Sequence, residues 1–96
     1  MAQRPNGVAK VKYVVLDVLK PHKPNIVDLT RELVLRLPGV TKISTSIVEI
    51  DQDTESIKME IYGNDVKVEE IKRILREYGA SLHSIDAVTI EEDGAE

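Results

Sequence analysis

Residues 40–62, VTKISTSIVEIDQDTESIKMEIY, decide the fold. Their second half, 56–62 (SIKMEIY), alternates strictly. Ile57, Met59 and Ile61 fall on one face and Lys58, Glu60 and Tyr62 on the other, the period of a half-buried strand. Residues 40–51 (VTKISTSIVEID) are β-branched almost throughout and predict a partner strand. The polar stretch 51–55 (DQDTE) turns one into the other, so the segment reads as a β-hairpin.

On either side of this hairpin the period changes. Upstream, residues 25–37 (NIVDLTRELVLRL) place Ile26, Leu29, Leu33 and Leu37 at helical spacing. Asn25 is a candidate cap with Asp28 in the first turn, and Pro38-Gly39 ends the helix. Downstream, after the turn Gly63-Asn64-Asp65, residues 66–78 (VKVEEIKRILREY) place Val68, Ile71, Leu75 and Tyr78 on one stripe. Gly79 is the expected C-cap. The first and last strands of the chain complete the pattern: 8–19 (VAKVKYVVLDVL), apolar enough for a central strand and stopped by Lys20-Pro21-His22-Lys23-Pro24, and 80–91 (ASLHSIDAVTIE). Residues 1–7 read as a loose end and 92–96 as an acidic tail.

The order is βαββαβ. An internal echo supports two related halves, because Leu35-Arg36-x-x-Gly39 recurs as Leu75-Arg76-x-x-Gly79. Right-handed crossovers then give one α+β domain over 1–96 with an ordered core of about 8–91. This is the ferredoxin-like sandwich: an antiparallel sheet of strand order 4-1-3-2 with both helices on one face.

Composition narrows the function classes. The 96 residues carry 13 Lys and Arg against 17 Asp and Glu, a formal net charge of −4, which disfavours nucleic acid as a partner. The absence of cysteine removes disulfides, Cys-ligated metals and thiol nucleophiles. No apolar run is long enough for a bilayer, so a cytoplasmic protein without membrane contact is expected. Three Tyr, with no Phe or Trp, do not supply the stacking platform of an RNA-recognition domain. A copper chaperone would need a Cys pair. An acylphosphatase would need a Gly-rich phosphate loop where this chain has KPHKP.

The topology gathers polar residues at one end of the sheet, where the first two strands finish and the last two begin. That end receives Asp17, Lys20 and His22, then Glu49, Asp51, Asp53, Thr54 and Glu55, then His83, Ser84 and Asp86. Asp17 stands out because it interrupts an apolar strand and needs a partner, which Lys20, His83 or a cation could supply. Alternation puts it with Tyr13 and Val15, on the sheet face left open by the helices. Asp17, Glu49, Asp51, Glu55, His83 and Asp86 are candidate ligands for a divalent cation, Ca²⁺ first on their oxygen chemistry. Solvated acids with ordinary ion pairs to Lys20, Lys23 and Lys42 would leave the same pattern. A His83–Asp17 general-base pair is the least favoured alternative, since no nucleophile or cofactor motif accompanies it. The open face, with Tyr13, Val15, Lys58, Glu60, Tyr62 and either Thr41, Ile43, Thr45 and Ile47 or their alternates, is the expected surface for homo-oligomers.

Three segments resemble a known family. They are Leu16-Asp17-Val18-Leu19-Lys20-Pro21-His22, Glu49-x-Asp51-x-x-Thr54-Glu55-x-Ile57-Lys58 and Gly79-x-x-Leu82-His83-Ser84-Ile85-Asp86. In this order and spacing they resemble DUF211, small archaeal proteins of unknown function. The resemblance spans about residues 11–88. It implies a ferredoxin-like fold, an archaeal cytosolic origin and a multi-subunit homo-oligomer, and it implies no activity. Its signature residues fall on Asp17, Lys20, His22, Glu49, Asp51, Thr54, Glu55, His83, Ser84 and Asp86. Ala87 stands where the family usually has a polar or acidic residue. The expectation is therefore a non-enzymatic, homo-oligomeric binding or regulatory domain. The alternative is a small-molecule sensor of the ACT kind, to which the turn Leu37-Pro38-Gly39-Val40 is similar.

Overall fold

In the computed structural model, residues 8–93 are described, and the expectations for 1–7 and 94–96 lie outside them. Strand β1 runs Val8–Pro21, helix α1 Ile26–Arg36, strands β2 Val40–Ile50 and β3 Thr54–Gly63, helix α2 Val68–Glu77 and strand β4 Ser81–Asp93. The sheet order is β2-β3-β1-β4, which read from the other edge is 4-1-3-2, and all its pairings are antiparallel. The fold is the ferredoxin-like sandwich.

Alternation along the two central strands sorts the core. Val14, Leu16 and Val18 of β1 face Ile61, Met59 and Ile57 of β3, and all are fully buried. Leu29 and Leu33 of α1 and Ile71, Ile74 and Leu75 of α2 close over them. The helices are capped as their sequences suggest. Asn25 accepts from the Asp28 backbone N–H at 2.8 Å. After α2, Ala80 N–H donates to the Leu75 carbonyl at 2.9 Å and Gly79 N–H to that of Arg76 at 3.1 Å. This is a Schellman motif, and Gly79 sits at φ +77° within it.

Three strand ends differ from the sequence expectation. The β1–β3 ladder continues through Lys20↔Glu55 and Pro21↔Thr54, so Thr54 and Glu55 belong to β3 rather than to the turn. Pro21 is tolerated because it is the last rung. Strand β4 runs on to Asp93, taking in the first residues of the expected acidic tail. Of these, Asp93 meets Lys12 of β1 at 2.6 Å, and the preceding Glu91 lies across from Lys10 in the ladder.

The face of β2 is settled by its register. Ile43, Thr45 and Ile47 lie opposite Ile61, Met59 and Ile57, so they point to the helix side. Thr45 meets Thr30 of α1 there at 2.7 Å. The open face takes the alternates Lys42, Ser44 and Ser46. That face is consequently polar, not patched with apolar side chains. Tyr13 and Tyr62 pack at 4.8 Å between ring centroids, Lys42 lies over the Tyr62 ring, and the Tyr13 hydroxyl donates to Glu60.

Candidate functional site

The end of the sheet where β1 and β2 finish carries the gathered polar residues. Period two divides them between the faces. Lys20 and Glu55 continue the inward series of Val18 and Ile57, and the Lys20 side chain is 0% exposed. Its ammonium donates to Glu55 Oε1 at 2.8 Å, to the Pro21 carbonyl at 2.8 Å and to the His22 carbonyl at 3.3 Å. Three donors meet three acceptors, which is what a buried ammonium requires.

His22 completes this knot. Nδ1 lies 3.0 Å from Glu55 Oε2 and Nε2 lies 2.9 Å from the Gln52 carbonyl. Both partners accept hydrogen bonds, and a neutral imidazole has one N–H, so the geometry calls for the doubly protonated ring. The Glu55 carboxylate, followed by the Gln52 carbonyl, raises the His22 pKa above its ordinary 6.5. Lys20 first, then His22, hold the Glu55 carboxyl below its ordinary range. Both Glu55 oxygens are thus occupied, and the loop between β1 and α1 is fastened to the hairpin turn.

Asp17 lies on the opposite face. His83 is its partner, with Nδ1 at 3.3 Å from Oδ2; the side chains are 73% and 36% exposed respectively. The pair is made by a bulge. The register steps from Val18↔Leu82 to Asp17↔Ser84, leaving His83 as the extra residue of β4. Ser84 turns to Asp86, to which it donates at 2.8 Å. Glu49 and Asp51 are exposed at the end of β2 and beside the turn. No group of three or more His, Asp or Glu placed to hold a metal ion occurs among the described residues. The ligand candidates therefore stand as a Glu55 knot, an Asp17–His83 pair, a Ser84–Asp86 contact and two exposed acids.

Sequence reasoning missed the buried role of Lys20. The signal was present, because Lys20 shares parity with Leu16 and Val18, and Glu55 with Ile57 and Met59. It also missed a cleft at the far end of the molecule. Arg36, Leu37, Pro38, Gly39, Val40, Asp65, Lys67 and Glu70 line about 310 Å³ there. Two loops meet at this cleft without side chains between them. The Gly39 carbonyl accepts from the Asn64 and Asp65 N–H groups, and a Cβ on Gly39 would collide with the Asp65 carbonyl.

Comparison with known sequences adds two findings. The profile of DUF211, described as "Uncharacterized ArCR", matches residues 12–93. The uncharacterised protein MJ0319 of Methanocaldococcus jannaschii is 39% identical over 83 residues, covering 86% of this chain and 81% of that protein. Over this span the motifs around Asp17, Glu55 and His83 lie on the fold just described, and the chain belongs to the DUF211 family.

Proposed function

We propose that this chain is a non-enzymatic binding or regulatory domain that works as a homo-oligomer. One observation carries the reading. Large apolar side chains stand exposed along both sheet edges: Ile47, Val48 and Ile50 on β2, and Ile85, Val88 and Ile90 on β4. Exposed apolar surface gathered along an edge marks an association surface. The Asp17–His83 pair supports the non-enzymatic side of the reading, because it stands on the open face with the His83 side chain 73% exposed to water.

A cation belongs to this proposal only at a boundary between copies. Glu49 and Asp51 of one chain with Asp17, Asp86 or His83 of another would supply the oxygen-rich shell that Ca²⁺ takes. Light scattering coupled to size exclusion, with and without a chelator, tests both parts on metal-analysed protein. The expected result is a discrete oligomer whose metal content and mass fall together on chelation. An oligomer indifferent to chelator removes the cation and keeps the assembly, and a monomer overturns the proposal.

The cleft favours a second reading, a small-molecule sensor. It is lined by the Leu37-Pro38-Gly39-Val40 turn and carries charge of both signs, from Arg36 and Lys67 against Asp65 and Glu70. Such a lining suits a zwitterion. Thermal-shift screening against amino acids and nucleotides tests it, with a rise that is lost in Lys67→Ala as the expected result. A flat response across the library overturns it.

A further inference from the structure

We propose that the tip of the β2–β3 hairpin is latched by the hydrogen on His22 Nε2. When the ring gives up a proton, the Gln52 carbonyl is released and the tip loosens, while the rest of the fold stays closed. The latch needs neither a second copy of the chain nor a cation.

The geometry is a ring held between two acceptors. Nδ1 stands 3.0 Å from Glu55 Oε2, and Nε2 stands 2.9 Å from the Gln52 carbonyl oxygen. Both contacts are hydrogen bonds only while both nitrogens carry hydrogen. A neutral ring keeps one N–H, and the two acceptors compete for it. The Glu55 carboxylate is the stronger acceptor, because it bears the charge. Nδ1 therefore keeps its hydrogen, and the Nε2 lone pair is left facing the Gln52 carbonyl at contact distance. That approach is repulsive, and one side must give.

The tip is the side that gives. The root of the β1–α1 loop is held by Lys20, whose ammonium donates to the Pro21 and His22 carbonyls and to Glu55 Oε1 without help from the imidazole. Gln52 lies between the strands, since β2 ends at Ile50 and β3 begins at Thr54. Across the turn the Asp51 N–H donates to the Thr54 carbonyl at 2.8 Å, a bond that leaves the Gln52 carbonyl out. Gln52 and Asp53 are exposed, so water can take the freed oxygen.

Three elements set the proton affinity of the ring. Strand β3 brings the Glu55 carboxylate and the turn brings the Gln52 carbonyl, which together raise the pKa above 6.5 against the opposing effects of burial and of Lys20 on β1. Asp51 and Asp53 flank Gln52 in the turn and Lys23 follows His22 in the loop, all three exposed. The two Glu55 oxygens are taken by Lys20 and His22, so the latch is separate from the cation shell drawn above. The His22 side chain is 41% exposed and can exchange its proton with solvent. A histidine is the side chain whose charge changes near neutral pH.

The test is nitrogen-15 NMR of the full chain from pH 5 to 9. Ring nitrogen shifts report which nitrogen carries hydrogen, and relaxation of the Asp53 amide reports motion of the tip. The expected result is a neutral ring protonated on Nδ1, with the Asp53 order parameter falling from about 0.85 to below about 0.6 at the midpoint of the ring titration. In His22→Ala the same amide should be loose at every pH. A neutral ring protonated on Nε2 overturns the proposal. So does a tip whose mobility is unchanged through the ring titration, a ring still doubly protonated at pH 9, or a His22→Ala tip as rigid as wild type at pH 5. Should His22→Ala fail to fold, the wild-type titration decides alone.

Discussion

Lys20 shows how one residue can be read correctly in type and wrongly in place. As a candidate partner for Asp17 it would stand on the open face, yet parity sends it inward, where Glu55 and two carbonyls hold it. Removing the ammonium leaves those carbonyls and half of the Glu55 carboxylate without a donor in a buried place. Lys20→Met should therefore lower unfolding free energy by about 3 kcal/mol, read as a fall in urea midpoint at unchanged slope. A variant as stable as wild type would mean that the packing of the methionine replaces the whole knot. His22 adds a pH dependence with a definite sign. Its pKa is raised above 6.5, so the stabilisation is fully present below 6.5 and is lost as pH rises through the folded value. Glu55, held below 4.5, works on the other limb: its stabilisation is present above 4.5 and lost as pH falls through its folded value. Urea titrations from pH 5 to 9 should show stability falling as pH rises past 6.5 and through the raised folded value in wild type, and a flatter limb in His22→Gln. Equal slopes in the two proteins would show that His22 carries no proton linkage to folding.

The elements carry a parallel lesson through the repeated Leu-Arg-x-x-Gly. Both copies end a helix and lead into a strand, which the repeat made legible. The glycines nevertheless have different physical reasons. Gly79 takes φ +77° in a Schellman motif, and a Cβ there meets only Pro21 at 3.5 Å. The cost of Gly79→Ala is conformational, about 1 kcal/mol. Gly39 has no positive φ, and its reason is contact: the Asp65 carbonyl fills the place of a Cβ. Gly39→Ala should cost more than Gly79→Ala, because the two loops must part and lose the bonds to the Gly39 carbonyl. Thermal melts of the two variants check the order, and a Gly39→Ala protein melting above Gly79→Ala would refute it. The hairpin strands were legible to different depths. Strand β3 declares its faces by strict alternation. Strand β2 offers β-branched residues on both parities, so only its register against β3 assigns Ile43 and Ile47 to the helix side.

At the scale of the molecule, topology was legible and convergence was not. Strand order follows from element order and crossover hand, and it correctly brought the motif residues to one end. Sharing an end does not bring side chains together, because alternation divides neighbours between two faces. Glu55 and Asp17 sit on facing strands near the same end, yet one lies under the helices and the other on the open face.

The length of β1 and β4 has its own consequence. Strand β3 ends at Gly63, opposite the start of β2, while β1 and β4 continue past it as a two-stranded arm, with Val8 to Val11 paired to Asp93 to Ile90. The long axis reaches 51 Å in consequence. The arm is tied to the body by Val66 N–H on the Val11 carbonyl at 2.9 Å and by Lys12, whose ammonium donates to the Asn64 carbonyl at 3.0 Å and to Asp93 at 2.6 Å. A two-stranded ribbon is marginal by itself. At low protein concentration, arm amides should open locally and exchange at least tenfold faster than those of β3, which is flanked on both sides and exchanges through global unfolding. The arm amides of β4 should slow with rising protein concentration, because association through the exposed apolar edges, as in the proposed oligomer, would cover an edge strand. Exchange followed at two concentrations separates the two origins of protection. Arm protection independent of concentration would place the stability of β4 in its own chain, and protection that rises with concentration would make assembly part of how this small fold is completed.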